Sequence, residues 1–126
     1  MRAIEFRAQD FTKTWNYGYV AIGNESAVIF PKMKDGTVMM GILIYVNPDT
    51  IGQFTGLHDK NGTKIYEDDI VRFGENNYVV RFCKENACFV LQKRSSRQWY
   101  HLSERDLLEV IGNIHDNPEL MKGGKA

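Results

Sequence analysis

The residues of this chain best suited to holding a metal ion are two cysteines and two histidines, Cys83, Cys88, His101 and His115. The cysteines follow a C-x₄-C spacing, which lies outside the tight zinc knuckle, and the histidines are too far apart for the H-x₃₋₅-H pattern. A disulfide between the cysteines is conceivable but disfavoured, because we expect a reducing cytoplasm around the protein. The spacing therefore predicts two free thiols and no zinc site.

Acidic side chains gather in Glu67, Asp68 and Asp69, with Asp59 a few residues earlier. A hard divalent cation needs several converging oxygen ligands. Successive residues of a strand-like segment point to alternating sides, so three consecutive carboxylates converge only around a sharp turn. We therefore predict a solvated turn, in which one carboxylate accepts hydrogen bonds from nearby backbone N–H groups.

The sequence contains none of the common catalytic motifs: no G-x-S-x-G, no H-E-x-x-H, no P-loop and no dinucleotide fingerprint. A carboxylate and histidine site around His58, Asp59 and Glu67 is kept as a third hypothesis, because the separation of such groups in space is not encoded in their spacing. Otherwise the sequence predicts a protein that is not an enzyme and binds no cofactor.

One cluster combines positive charge with aromatic rings: Lys93, Arg94 and Arg97, followed by Trp99. Cations that hold phosphates and rings that stack on bases are what single-strand nucleic-acid binding requires. The structural alternative is favoured, with the charges at an exposed hairpin turn and the Trp in a sheet, because the charge is local and weak.

Trp15, Tyr17 and Tyr19 occupy alternate positions and would form an aromatic row on one face of a strand. Such rows are an ordinary unit of sheet stabilisation, so packing in the core or at its rim is the favoured interpretation. A stacking platform for bases or sugars is the alternative.

Length and composition describe a small soluble protein. A chain of 126 residues fits one domain, predicted over residues 1–121, with a flexible tail over 122–126. The 16 basic and 16 acidic residues cancel, which argues against nucleic-acid binding driven by bulk charge and against a polybasic membrane anchor. Since no apolar run reaches the length of a membrane span and no apolar signal core follows the N-terminus, we expect a cytoplasmic protein that does not enter membranes.

Asn61-Gly62 is the clearest turn signal, because both residues tolerate the positive φ of a two-residue type I′ hairpin loop. This turn would place Asp59 opposite Lys64, a pair of opposite charge. A type I turn over residues 59–62 with a bulge at Gly62 is a close competitor, and it shifts the pairing by one residue.

A second hairpin is predicted over Tyr78 to Lys93 with its turn near Glu85-Asn86. Symmetric pairing about that turn places Phe82 opposite Phe89, Val80 opposite Leu91 and Cys83 opposite Cys88. The first pairs would share the core face.

Other segments complete a mainly β chain. Ile4, Phe6 and Ala8 alternate with Glu5 and Arg7, which predicts a half-buried first strand with the apolar residues inside. The apolar segment 37–46 predicts a central strand buried on both faces. Short helical turns are expected near the C-terminus: a capping box over 103–106, and a helix with Asn117 as N-cap and Pro118 as its first residue. Many short strands with close turns predict a small antiparallel β-barrel or a sandwich-like single domain.

The segment IGQFTGLHDKNGTKIYEDDIVRF, together with MRAIEFRAQD and EVIGNIHDNPEL, resembles the YopX family of phage and prophage proteins. The likeness covers roughly half of the chain at both ends and the middle. Two positions depart from the family pattern: Gln9 stands where Trp is usual, and Asp68 where Gly is usual. Asp accepts a left-handed backbone better than most residues, so the turn at Asp68 can persist. The resemblance implies a small, mainly β phage or prophage protein and brings no catalytic residues.

These observations favour a phage or prophage interaction module of unknown biochemical activity. Its partner would be a phage or host protein, or a second copy of the chain. A nucleic-acid-binding barrel that uses Lys93, Arg94, Arg97 and Trp99 is the alternative.

Overall fold

The computed structural model describes residues 4–33, 35–38, 41–93, 99–102 and 107–122. Within them the chain forms strands and two short 3₁₀ helices, at Pro48–Thr50 and Pro118–Met121. The strands are β1 Phe6–Gln9, β2 Trp15–Ile22, β3 Ala27–Pro31, β4 Ile44–Val46, β5 Gly52–His58, β6 Lys64–Tyr66, β7 Asp69–Phe73, β8 Asn76–Cys83, β9 Cys88–Gln92, β10 Trp99–His101 and β11 Glu109–Asn113. None of the described residues forms a helix long and apolar enough to cross a membrane.

The prediction of a mainly β protein is confirmed, with two antiparallel sheets. The strand orders are β4-β3-β2-β1-β5-β6 and β10-β9-β8-β7-β11. In the described part of the chain, no ladder joins the two end strands of either sheet, so neither sheet closes on itself, although Val46 of β4 also forms an isolated bridge with Asp10. The closed barrel among the predicted architectures is therefore wrong, because closure requires the first and last strands of one sheet to pair.

By its internal contacts the chain divides into two compact units, residues 1–54 and residues 55–126. Strand β5 passes from the first unit to the second. The single domain over 1–121 stays a prediction, and residues 123–126 of the predicted tail lie outside the described residues.

The first unit is built on the β2–β3 hairpin, which continues into β4 on one side and β1 on the other. One face of this sheet holds the core, in which Ala8, Ala27, Ile29 and Val46 are buried. Strands β2 and β3 approach closely at Gly18, where an added Cβ would lie 2.0 Å from the Phe30 carbonyl oxygen. Only a residue without a side chain fits this contact.

Two sequence predictions for the first unit are wrong. Strand β1 forms, but Glu5 and Arg7 are buried, at 4% and 7% exposure, whereas Ile4 is 52% exposed. Both faces of the strand are therefore covered, because Ala8 packs in the core while Glu5 and Arg7 contact Lys32 and Trp15 on the opposite face. The described residues of the segment 37–46 do not form a central strand: Ile44–Val46 pairs at the end of its sheet, Val38 forms an isolated bridge with Lys32, and Ile42 is exposed.

The hairpin that begins the second unit uses the competing turn, not the type I′ loop. The N–H of Gly62 donates to the Asp59 carbonyl at 3.0 Å, and the N–H of Asp59 donates to the Thr63 carbonyl at 2.8 Å. Gly62 has φ of +83°. This is a type I turn followed by a Gly bulge, so the predicted Asp59–Lys64 pairing is shifted by one residue.

The β8–β9 hairpin has the predicted register, with Val80 opposite Leu91, Phe82 opposite Phe89 and Cys83 opposite Cys88. The first pair is buried in the main core of the unit, whereas Phe82 is exposed near the tip. Ile70 and Val79 form a second buried cluster with Met121.

The last strand, β11, pairs with β7 across a register shift between Val110 and Gly112. The final 3₁₀ helix starts at Pro118 as predicted, but the Asn117 side chain does not cap it. That side chain instead accepts a hydrogen bond from the Asn113 N–H at 3.3 Å. The capping box predicted over 103–106 lies outside the described residues.

Candidate functional site

The predicted basic and aromatic cluster is described at Lys93 and Trp99, while Arg94 and Arg97 lie outside the described residues. Trp99 begins β10, at the end of its sheet, and pairs across the ladder with Gln92. It is 38% exposed, and its ring meets the His101 ring edge-on at a centroid distance of 5.1 Å. Trp99 thus lies in a sheet, as expected, but presents part of its ring to solvent.

Lys93 and Gln92 also line a concavity of about 270 Å³ in the second unit. Arg81 contributes a second cation, and the apolar lining is supplied by Val79, Ile114, Pro118 and Met121. Among the residues that the structure describes, no carboxylate lines this basic concavity, so it suits an anionic group that carries some apolar surface.

Arg81 is held in place by Asp68, a residue for which the sequence suggested a solvated turn. The Arg81 Nη1 donates to Asp68 Oδ1 at 2.9 Å, and His115 Nε2 lies 3.3 Å from Asp68 Oδ2. Asp68 is buried and has φ of +73°, the left-handed conformation that the sequence predicted for it. Sequence reasoning missed Arg81, although its alternation with Val80 and Phe82 in the predicted hairpin placed it on the face opposite them.

Two other carboxylates of the acidic cluster, Asp69 and Asp59, accept hydrogen bonds from the backbone. Asp69 is buried and its Oδ2 accepts a hydrogen bond from the Tyr66 N–H at 2.7 Å, which confirms the predicted backbone cap but not the solvated setting. Asp59 accepts backbone hydrogen bonds from Asn61, Thr63 and Val110. Its oxygens are therefore engaged by backbone donors, and the site imagined around His58, Asp59 and Glu67 stays a hypothesis.

The four residues weighed as zinc ligands lie in two places. His115 contacts Asp68, whereas the Nδ1 of His101 lies 3.6 Å from the Sγ of Cys88. Both cysteines are free thiols and partly exposed. In the described ranges, no three His, Cys, Asp or Glu side chains converge as a metal site requires.

The first unit presents a second candidate surface, the aromatic face of its sheet. Tyr17 and Tyr19 alternate along β2, Phe30 pairs with Tyr19 from β3, and Tyr45 pairs with Val28 from β4. Paired residues of an antiparallel ladder lie on the same face, so these side chains form one surface opposite the buried core. The three tyrosines are 37–60% exposed. The predicted aromatic row therefore exists; Tyr17 and Tyr19 lie outside the core, and their packing at its rim stays a prediction.

Two paired cations border the aromatic face on the β1 side. Lys32 donates to the buried Glu5 carboxylate at 2.8 Å, and this hydrogen bond raises the pKa of Lys32 above its usual value. The Arg7 guanidinium lies over the Trp15 ring, 4.5 Å from its centroid. A carboxylate partner and an aromatic face explain how Glu5 and Arg7 tolerate burial.

Sequence reasoning missed Phe30 and Tyr45 as members of this face. The Gly23–Ser26 turn was the available signal, because the N–H of Gly23 donates to the Ser26 carbonyl at 2.8 Å and a symmetric hairpin about it pairs Tyr19 with Phe30. Tyr45 was hidden in an apolar run that predicted a buried strand.

Two comparisons relate the chain to known proteins. The family model described as YopX protein matches residues 1–122. The crystal structure of protein EF1440 from Enterococcus faecalis is similar to it at a TM-score of 0.60 and 26% identity, covering 97% of this chain and 100% of that chain. No curated protein matches the chain. Because the family model spans nearly the whole sequence and agrees with the resemblance in its motifs, the chain belongs to the YopX family.

Proposed function

We propose that this protein is a non-catalytic interaction module that binds another protein chain through the aromatic face of its first unit. The observation that supports this most directly is that Tyr17, Tyr19 and Tyr45 are 37–60% exposed on one side of a sheet whose other side is the core. A monomeric soluble protein seldom leaves a contiguous apolar surface exposed without a use for it.

The chemistry of this face suits a protein partner. Tyrosine is enriched at protein interfaces because its ring buries a large area while its hydroxyl keeps a hydrogen-bond partner. A sheet holds such rings in place before binding, so little conformational entropy is lost on association. Strand β4, which carries Tyr45, ends the strand order of its sheet, but its outer edge is bridged at Val46 by Asp10, so the partner would bind the face and not the edge.

Family membership supports a phage or prophage setting, and the sequence supports a cytoplasmic one. The partner is then a phage or host protein, or a second copy of this chain. We propose a non-catalytic role because two carboxylates of the acidic cluster, Asp59 and Asp69, already accept hydrogen bonds from backbone N–H groups.

The test compares the wild-type protein with a double variant that carries Tyr17→Ser and Tyr45→Ser. Phe11→Ala is the control, because Phe11 is an aromatic residue even more exposed than Tyr17 and Tyr45 but lies in the turn before β2. Analytical ultracentrifugation measures self-association, and affinity capture from prophage-carrying cells measures other partners. We expect the double variant to lose the partner and the control to keep it. Equal binding by all three proteins, or a monomer that captures nothing, contradicts the proposal.

A second candidate function, binding of single-stranded nucleic acid, is favoured by Lys93, which lines the basic concavity, and by Trp99, which pairs with the lining residue Gln92. Arg81 adds a second cation within reach of a phosphate, and the exposed Trp99 ring offers a stacking surface. The formal net charge of zero makes this the weaker candidate, since phosphate contacts supply most non-specific affinity.

Fluorescence anisotropy of a labelled single-stranded oligonucleotide at two salt concentrations tests this candidate. Binding should weaken with salt, and either Lys93→Ala or the pair Arg94→Ala and Arg97→Ala should reduce the salt dependence. Trp99→Ala should weaken binding without changing that dependence. Absence of binding at low salt rejects nucleic acid and leaves the protein partner untouched, because the two surfaces belong to different units.

A further inference from the structure

We infer that Cys83 and Cys88 form a reversible dithiol–disulfide site. The two residues are direct cross-strand partners at the end of the β8–β9 ladder. Residues in that relation have Cα atoms about 4.5–5.5 Å apart, and disulfides join Cα atoms about 4.4–6.8 Å apart. A bond between the two sulfurs therefore forms by side-chain rotation, without movement of the strands.

The surroundings of the two thiols differ, and the difference assigns their roles. The Sγ of Cys88 lies 3.6 Å from the Nδ1 of His101, whereas the Cys83 thiol donates to the Glu85 carboxylate at 3.5 Å. Partly exposed thiols within reach of an imidazole nitrogen that can accept their proton are typical of reactive cysteines. Cys88 is therefore the attacking thiol and Cys83 the resolving one.

The reaction balances with a low-molecular-weight disulfide such as oxidised glutathione as the oxidant. The Cys88 thiolate attacks one glutathione sulfur, forms a mixed disulfide and releases one glutathione thiolate. The Cys83 thiolate then attacks the Cys88 sulfur and releases the second. One S–S bond forms in the protein, one breaks in glutathione, and the two thiol protons end on the two released glutathione molecules.

Oxidation also changes the surroundings of His101 and Trp99 in β10, which ends its sheet. The His101 ring contacts Cys88 on one side and packs against Trp99 on the other. When Cys88 turns toward Cys83, His101 loses its sulfur contact and the environment of Trp99 changes. The site is thus reduced in a resting cytoplasm and oxidised when the disulfide fraction of the glutathione pool rises.

The first experiment equilibrates the full-length protein with glutathione mixtures, traps free thiols by alkylation and measures the intact mass. We expect both thiols to disappear together, with the loss of two hydrogens, in a monomer that dithiothreitol restores. The variant Cys83→Ser should instead accumulate one glutathione at Cys88. Retention of both thiols in oxidised glutathione alone, or a disulfide only between two protein molecules, overturns the inference.

A matched control moves one thiol to the opposite face of the hairpin, with Cys88→Ser and Phe89→Cys in the same chain. The two cysteines then have the same chemistry and nearly the same spacing, but no direct cross-strand relation, so no intramolecular disulfide is expected. Its formation in this variant, as readily as in the wild type, would show that proximity in sequence alone accounts for the bond.

Tryptophan fluorescence tests whether oxidation of Cys88 alters the environment of Trp99 through His101. In a Trp15→Phe background, Trp99 is the remaining tryptophan. Its emission should change on oxidation, and His101→Phe should abolish that change while the disulfide still forms. A constant Trp99 emission during complete oxidation contradicts transmission through His101.

Discussion

Two turns of this molecule have the same local design and different connections to the rest of the fold. In the Asp10 turn, residues 10–14, the Asp10 N–H donates to the Thr14 carbonyl at 3.0 Å, and the Lys13 N–H donates to the Asp10 carbonyl at 3.0 Å. The Asp59 turn, residues 59–63, makes the same two bonds through Thr63 and Gly62.

The aspartate side chain of each turn also accepts the same two backbone hydrogen bonds within the turn. Asp10 Oδ1 accepts from the N–H groups of Thr12 and Thr14, and Asp59 Oδ1 accepts from those of Asn61 and Thr63. The resulting Asp-turn is specified by sequence within five residues.

The difference lies in the second carboxylate oxygen. Asp59 Oδ2 accepts a hydrogen bond of 2.9 Å from the N–H of Val110, which is 51 residues away, and Asp59 is buried. In the described part of the chain, the Asp10 carboxylate accepts hydrogen bonds from its own loop and the start of β2, and the contact of Asp10 with a distant strand is an isolated backbone bridge to Val46. One motif therefore shapes a loop in the first unit, and the same motif ties a hairpin to the final strand of the second.

The largest effect is expected for Asp59→Ala. It removes the acceptor of three backbone N–H groups, one of them on the distant strand β11, and should lower the free energy of unfolding by about 2–3 kcal/mol. Urea denaturation measures this change. Asp10→Ala is the matched control and should have a clearly smaller effect, because its donors are exposed and water replaces the carboxylate. Equal effects of the two substitutions would mean that the Val110 bond adds nothing.

The acid dependence of stability should be the next largest effect. Burial by itself raises the pKa of Asp59, but the N–H groups of Val110, Thr63 and Asn61 outweigh it and lower the pKa below 3.8. The charged carboxylate then stabilises the fold above pH 3.8, and this contribution is lost as the pH falls from there through the lower folded-state pKa.

Denaturation of Asp59→Asn protein at a series of pH values measures this contribution. The variant should lose less stability than the wild type as the pH falls below about 4. Parallel curves for the two proteins would contradict the role assigned to the carboxylate charge.

Gly62→Ala should be destabilising by about 1 kcal/mol, because Gly62 has φ of +83° and a Cβ is unfavourable in that conformation. An added Cβ meets no atom within 4 Å, so backbone strain is the whole cost. Thermal unfolding measures it. A loss several times larger would point to a contact that the turn geometry does not contain.

Lys13→Gly should have the smallest effect and the opposite sign. Lys13 occupies the position of Gly62 in the Asp10 turn, with φ of +67°. Glycine relieves the strain but adds freedom to the unfolded chain, so a net gain of about 0.5 kcal/mol is expected. A loss of stability would show that the Lys13 side chain makes a contribution of its own.

These turns also show how far sequence reasoning reached. The position of the reversal at Asn61-Gly62 followed from local chemistry, but the choice between two turn types did not, because both suit those residues. The competing turn lets the Asp59 carboxylate serve Asn61, Thr63 and the distant Val110 together. The β8–β9 register was predicted correctly because a hairpin with a short loop pairs symmetrically.

Errors occurred where partners are distant in sequence. Glu5 and Arg7 were predicted to face solvent because charged residues usually do, but Lys32 and Trp15 compensate them inside the first unit. The basic concavity was found in part: Lys93 was named from composition, whereas the role of Asp68 in positioning Arg81 depended on a contact across 13 residues. Contacts between such residues leave no periodic pattern in the sequence from which they could be predicted.

Gly18 contributes no side chain to the aromatic face, yet it sets the distance between the strands that carry Tyr19 and Phe30. For protein engineering this separates two kinds of position. The exposed tyrosines can be randomised to select new binding specificities, whereas Gly18 must be kept in every library because it holds the scaffold beneath them.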